Sequence, residues 1–491
     1  MWLSIRKRRD QMAADSYLRP IGLLERFHTT RNFLGFDSCV VASGKYATQD
    51  SLPLTKDVLF PALREVIKAH PSLCVRLKNE SCSNAAFTRL HNIDLSHIVE
   101  FRDDDSLETA LESQLAQGFD MDADLPLWRI QVLGDNTVIL GIHHVIGDGL
   151  STIAFHASLL RALRNVPIGD ASPLVQIPDT ITLLPPVEAA TNVRPSLSTI
   201  FDEVYKLFAP KYLTSDRSAW SGNPVPSVSG GLRTHVRLLA IPAPDVTAFC
   251  TICRTHRTTL TSAFYALIVA LLSRMLADDS HYKSISSTVA ISLRGTAGMS
   301  GDAICDYVSA HRTYPPANAN FNWTTAARYA TKLRKQKRKA RESIGMLRFL
   351  FGNYVPYMRG HLGKKRASGF VLSNLGRFDA RTVEGTWNIV NAVFAQCDVM
   401  VGAAFKMNVA TLWLVTQLAP LSLPLSAQKK FAVKVSGALY TNGSEAARNE
   451  FIWLQEPACV GFPNVTQDVQ TVLAYIFRKA AVYAVRAGSI A

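Results

Sequence analysis

The feature that most constrains this chain is a strand, turn, strand and helix succession that passes through two adjacent histidines. Trp128 to Leu133 and Thr137 to Ile142 are apolar, β-branched runs joined by Gly134-Asp135-Asn136, the chemistry of a hairpin turn. His143 and His144 end the second run. From Leu150 to Leu163 the period becomes helical, with Ile153, Ala154, Leu159, Leu160 and Leu163 as the buried stripe. The histidines are thereby predicted on a strand-to-helix loop.

The alternation of strand and helix recurs on either side. A helix start is signalled at Thr55 to Asp57, and Leu59, Ala62, Leu63, Val66 and Ile67 follow at helical spacing until His70-Pro71 ends the pattern. Strand-like CVRL comes next. A second cycle opens with VRLLAI from Val236, a capped helix near Asp245 and a longer helix from Leu260 to Leu276. It continues with the strand STVAISL, ending at Leu293, and a loop holding Gly295, Gly298 and Gly301. Between the cycles, nine prolines from Pro167 to Pro226 punctuate one amphipathic segment, Ser196 to Leu207. At 491 residues, 48% of them hydrophobic, the chain exceeds what one core usually spans. The expected organisation is an N-terminal domain over 1–166, a Pro-rich crossover over 167–231 and a C-terminal domain over 232–491. Each domain is expected to be α/β, a mixed sheet with flanking helices.

Composition closes several other routes. The N-terminus, MWLSIRKRRDQMAADSY, has basic residues but no apolar run that could serve as a signal-peptide core, so a cytoplasmic location is expected. The eight cysteines lack the dense spacing of a disulfide scaffold and read as reduced, buried side chains. Cys250-Thr251-Ile252-Cys253 has no second CxxC to complete a metal site. The run from Val409 to Ala427 approaches the length of a membrane span, but Pro420, Pro424, Thr416 and Gln417 favour a buried strand pair. A net charge of +14 suits nucleic acid, an anionic membrane surface or a phosphorylated cofactor. Much of the excess lies in Arg328 to Arg341, a segment that reads as a solvated helix face or a phosphate or membrane contact.

The chemistry concentrates in His143-His144-Val145-Ile146-Gly147-Asp148-Gly149, which sets an imidazole and a carboxylate four residues apart at a strand end. Activating a hydroxyl takes a base with a pKa near neutrality, and histidine, at about 6.5, is the natural one. Three other readings stay open on the residues alone: a satisfied pair of core histidines, a two-His-one-carboxylate metal site, and the base of a Ser-His-Asp hydrolase. The metal reading lacks a motif of usual spacing, and no G-x-S-x-G elbow occurs.

HHVIGDG resembles the HHxxxDG signature of the chloramphenicol acetyltransferase-like superfamily, which includes plant BAHD acyltransferases and non-ribosomal condensation domains. LRPIGLLERFHTTRNFLG from Leu18, HPSLCVRL from His70, LPLWRI from Leu125 and LSNLG from Leu372 resemble landmarks of the fungal alcohol acetyltransferases, in the same order. The plant DFGWG motif is absent, and the chain after about Ala410, KKFAVKV included, departs from the family's pattern.

The resemblance implies two domains with an active-site tunnel between them, and transfer of an acyl group, acetyl above all, from acyl-CoA to an alcohol such as a terpenoid-like metabolite. It makes His144 the general base, supported by His143 and Gly149, with Asp148 paired to Arg294 to hold the loop. Ser373 and Asn374 would line the tunnel or hold the oxyanion. Lys335, Lys337 and Arg338 would favour the phosphates of acetyl-CoA. The implied partners are acyl-CoA and a small-molecule alcohol, with no metal and no nucleic acid; a monomer is expected, with peripheral membrane contact as a further property. A carrier-protein-dependent acyltransferase or condensation enzyme, and a non-catalytic binding protein, are the competing functions.

Overall fold

The computed structural model describes residues 16–439, apart from 82, 104–105, 209–217, 228–233, 242, 278, 280, 383–385, 398 and 417–430. The hairpin forms as its sequence dictates, with Trp128–Leu133 antiparallel to Thr137–Ile142, and Asn136 taking the positive φ of 64° that the turn needs. Every residue of Thr137–Ile142 is buried, because the strand lies at the centre of a five-stranded sheet. Across that sheet the neighbours run Asn388–Gln396, Val40–Ala47, Thr137–Ile142, Trp128–Leu133 and Val99–Arg102.

A second, six-stranded sheet is built from the C-terminal half. Its neighbours run His235–Ile241, Phe431–Leu439, Ala403–Thr416, Ser368–Thr382, Ser287–Ser292 and Val308–Thr313. Long helices pack against each sheet, including Lys56–Ala69 and Gly149–Asn165 in the first half and Leu260–Met275 in the second. The expected mixed α/β architecture is therefore present. Its Pro-rich crossover is stitched to both halves. Leu174–Gln176 pairs with Asn92–Asp94, whereas Ala219–Trp220 pairs with Ser284–Ile285.

Two features depart from a simple reading along the chain. Asn388–Gln396 leaves the C-terminal half and pairs antiparallel with Val40–Ala47 at the edge of the first sheet, so the division expected at residue 232 is crossed by one strand. The segment that looked foreign after about Ala410 is an integral part of the second sheet. Ala403–Thr416 continues the apolar run as a strand, and Phe431–Leu439, within and beyond KKFAVKV, lies between it and His235–Ile241. The rest of the apolar run to Ala427 lies outside the described residues. Among the described residues no helix is long and apolar enough to cross a membrane.

The crossing strand brings the halves together at the motif. Gly149, the first residue of the helix Gly149–Asn165, sits so close to the C-terminal half that an added Cβ would lie 2.6 Å from Leu375 Cδ2 and 2.7 Å from Phe394 Cζ. The motif's last glycine is thus closely packed, and any larger residue there must displace the Leu375 and Phe394 side chains. Gly149→Ala is expected to destabilise the fold by about 1–3 kcal/mol through overpacking. Urea denaturation of the purified variant measures it.

Candidate active site

The loop after the hairpin is tightly organised. Asp148 caps the helix Gly149–Asn165, its Oδ1 accepting from the Ser151 backbone N–H at 3.1 Å and from Ser151 Oγ at 3.1 Å. Both carboxylate oxygens also accept from Arg294 Nη1, each at 2.8 Å. The pair is buried, and although burial works against the guanidinium charge, Asp148 and its neighbours together hold the Arg294 pKa above its usual value. The expected Asp148–Arg294 pairing is present in the structure.

Arg294 does more than hold Asp148. Its Nη2 donates to Ser151 Oγ at 2.9 Å, to the Ala303 carbonyl at 3.0 Å and to the Cys305 carbonyl at 3.1 Å. Asp148 Oδ2 accepts from the Tyr307 backbone N–H at 3.3 Å. One buried ion pair therefore fastens the helix start of the first half to residues 303–307 of the second.

Those residues carry Asp306 to the histidines. Asp306 Oδ1 lies 3.5 Å from His144 Nδ1 and Oδ2 lies 3.5 Å from His28 Nε2, with the Asp306 side chain fully buried. The imidazoles of His28 and His144 stack at 3.7 Å between centroids and 7° between planes. His28 comes from the helix Leu23–Phe33, whose start is anchored by the Gly22 and Leu23 N–H groups donating to Glu25 and Glu188. The three donor atoms lie within 4.8 Å of one another, a distance at which a metal ion could be considered. Parallel rings, however, direct their ring-plane lone pairs side by side and not toward one point, so a proton shared with the carboxylate suits the geometry better.

The histidines of the motif sit in different environments. His143 is fully buried, and its Nδ1 accepts from the Val145 backbone N–H at 2.9 Å; burial lowers its pKa to about 3. It is a neutral residue that shapes the loop. His144 keeps 14% of its side chain exposed. Burial works against its imidazolium, but Asp306, with Asp37 behind it, outweighs burial and holds the pKa above the usual value. Burial in turn lifts Asp306 to about 6, against the pull of His144.

The other predicted positions are less concentrated. Ser373 is buried in the strand Ser368–Thr382, in register with Asn408. Asn374 Nδ2 donates to Thr261 Oγ1 at 2.9 Å and its Oδ1 accepts from the Gly376 N–H at 2.8 Å, so both ends of the amide are engaged locally. Lys335 ends the helix Trp323–Lys335, and Lys337 and Arg338 begin Lys337–Met346; all three are exposed, with Arg338 against Glu342 at 3.3 Å. Cys250 and Cys253 lie in the helix Ala243–Thr255, and burial raises both thiols, Cys253 to about 12, which leaves them protonated. A narrow cleft is lined by Val75, Phe87, Val145, Ile146 and Leu184 together with the polar Arg19, Glu25, Ser72 and Asp306, and neither His28 nor His144 is in its wall.

Sequence reasoning missed His28 and Asp306 as members of the site. The available signals were a charged Glu25, His28 and Arg31 series inside a helix, and a carboxylate interrupting the apolar run Ile304-Cys305-Asp306-Tyr307-Val308.

The fold is shared with the trichothecene 15-O-acetyltransferase of Fusarium sporotrichioides, at a TM-score of 0.58 and 13% identity over 96% of this chain and 94% of that one. The condensation domain of the monacolin K polyketide synthase gives a TM-score of 0.53 and 12% identity over 86% and 92%. The alcohol acetyltransferase family profile matches residues 20–436, and the chain belongs to that family. Among curated relatives, the Fusarium pseudograminearum protein named "Probable alcohol acetyltransferase FCK4" is 25% identical over 71% of this chain and 78% of its own length. The Aspergillus fumigatus protein named "Probable alcohol acetyltransferase crmB" is 22% identical over 79% and 91%. The protein is an acyltransferase.

The ion pair generates a direct expectation. Removing one partner of a buried pair strands the other charge, at a cost of roughly 3–5 kcal/mol. Asp148→Asn should lower stability by that order in chemical denaturation. The double variant with Arg294→Met should lose less than the sum of the two single changes, as contacting residues do.

Proposed function

We propose that this protein transfers an acetyl group from acetyl-CoA to the hydroxyl of an apolar small-molecule alcohol, with His144 as general base. The observation that carries this reading is the contrast within the motif. His144 alone of the pair has solvent access and a carboxylate that raises its pKa, whereas His143 is sealed, lowered by burial and spends its Nδ1 on the backbone.

In this mechanism the alcohol O–H gives its proton to His144 Nε2 as its oxygen attacks the thioester carbonyl. The tetrahedral oxyanion collapses, the C–S bond breaks, and the departing CoA sulfur takes the proton back from His144. The products are the ester and free CoA, and the histidine ends as it began. Ser373 remains the proposed oxyanion donor; Asn374, with both amide atoms engaged, supports the strand. A terpenoid-like alcohol is the proposed acceptor, in keeping with the relatives named as alcohol acetyltransferases.

Acetyl-CoA as donor draws support from the basic surplus. Lys335, Lys337 and Arg338 are exposed and raise the potential for a ligand with a diphosphate and a 3′-phosphate. Neutralising all three to Gln should weaken acetyl-CoA binding, with the deficit narrowing as salt rises. Unchanged binding in calorimetry would make the segment a solvated face. Wild-type protein that ignores acetyl-CoA but accepts an acylated carrier protein would overturn the donor.

His144→Ala should reduce transfer by on the order of 10²–10⁴-fold with the fold intact, and His143→Ala should affect chemistry less. Thiol release from acetyl-CoA with a panel of alcohols, combined with product mass, reads both variants. Full turnover by folded His144→Ala would sink the proposed base.

A further inference from the structure

We propose that Asp306 is the positioning residue of the base, fixing the tautomer of His144 and balancing its charge, and that His28 holds the carboxylate's second oxygen. The proposal deepens the reading of His144 as base and rests on it.

The geometry comes first. Asp306 is fully buried, yet neither of its carboxylate oxygens, nor His144 Nδ1, has a made hydrogen bond. Buried polar atoms without partners are rare, and here each faces another at 3.5 Å. That separation is longer than a formed hydrogen bond, and such contacts commonly tighten when substrate arrives. A fold that keeps a dry carboxylate between two imidazoles bears a desolvation cost that hydrophobic residues of the same volume would avoid. The arrangement is explained if the carboxylate acts on the base.

Its action follows from the two edges of imidazole. With Nδ1 toward Asp306, the proton of neutral His144 resides on Nδ1, and the lone pair resides on Nε2, at the other edge of the ring. When Nε2 takes the alcohol proton, the new imidazolium faces a carboxylate already in place. His28 lies flat against His144, so a charge on both rings would repel at 3.7 Å. Burial, together with His144, Arg31, His143 and Lys406, holds the His28 pKa well below its usual value and keeps this ring neutral. His28 Nε2–H then faces Asp306 Oδ2 at 3.5 Å, set to donate once the contact tightens, and its stacked face limits rotation of His144. The remaining charged groups around the cluster are Asp37, ion-paired with Arg31, and Glu25, Asp148 and Arg294 on the Asp306 side.

The sign of the pH effect is fixed by this arrangement. Asp306 favours the charged form of His144, so Asp306→Asn must lower the His144 pKa, and the acid limb of kcat/KM must move to lower pH even as kcat falls. A carboxylate with a merely structural role would lower stability without moving that limb.

The deciding experiment is a ¹⁵N titration of histidine-labelled full-length protein, with the His144 signals assigned by their loss in His144→Gln. Wild type should show the Nδ1–H tautomer with a pKa above about 6.5. Asp306→Asn should bring that pKa to or below this value and shift the tautomer toward Nε2–H. His28→Phe keeps the stacking but removes a donor from the carboxylate, so it should shift the His144 pKa upward, and it serves also if Asp306→Asn does not fold. With acetyl-CoA and an alcohol from the panel, Asp306→Asn should lose on the order of 10²–10⁴-fold in kcat with little change in KM for acetyl-CoA. An unmoved His144 pKa and tautomer in the folded variants would overturn the proposal. That result is distinct from turnover by His144→Ala, which would remove the base itself.

Discussion

The buried ion pair between Asp148 and Arg294 is the constraint on which the rest of the site depends. A charge pair taken out of water persists only if its geometry is good and its other hydrogen-bonding capacity is used. Both conditions are met here. Asp148 caps a helix and accepts a backbone N–H from the opposite half, while Arg294 spreads its donors over Ser151 and two carbonyls of the 303–307 segment. The ion pair therefore works as a fastener between segments 146 residues apart in sequence. It fixes the loop bearing His144 relative to the segment bearing Asp306.

The electrostatics of the cluster follow from unequal burial of similar groups. Three histidines lie close together, and burial pushes two of them, His28 and His143, firmly toward the neutral form. The third escapes because a carboxylate outweighs the same penalty. The fold thus separates one ionisable imidazole from two inert ones by controlling which ring faces an anion. Desolvation alone would have silenced all three.

The fold itself is compatible with several acyl donors and acceptors, since an acetyltransferase and a condensation domain share it at low identity. Function within such a scaffold resides in the residues around the base and in what the openings admit. In this chain those residues include the cluster of His28, His144 and Asp306, and the surface carries exposed basic residues on the helices Trp323–Lys335 and Lys337–Met346.

Local structure was legible in the sequence wherever one segment carried the whole signal. The hairpin, the helix from Gly149, the helix from Lys56 and the strand at Ser287–Ser292 follow from periodicity and turn chemistry, and the motif's resemblance led to the Asp148–Arg294 pair. The placement of Asn388–Gln396 in the first sheet and of Phe431–Leu439 within the second was not legible, because a strand's period says which face it buries but not which strand it joins. His28 and Asp306 escaped for the same reason. Each looks like an ordinary polar residue in its own segment, and they acquire meaning only where a helix near the N-terminus and a segment near residue 305 converge on His144. The sequence by itself determined the elements and singled out the histidine motif. The tertiary structure alone decided which distant charges surround that histidine, because burial and pairing are properties of the packed chain and not of any stretch of it.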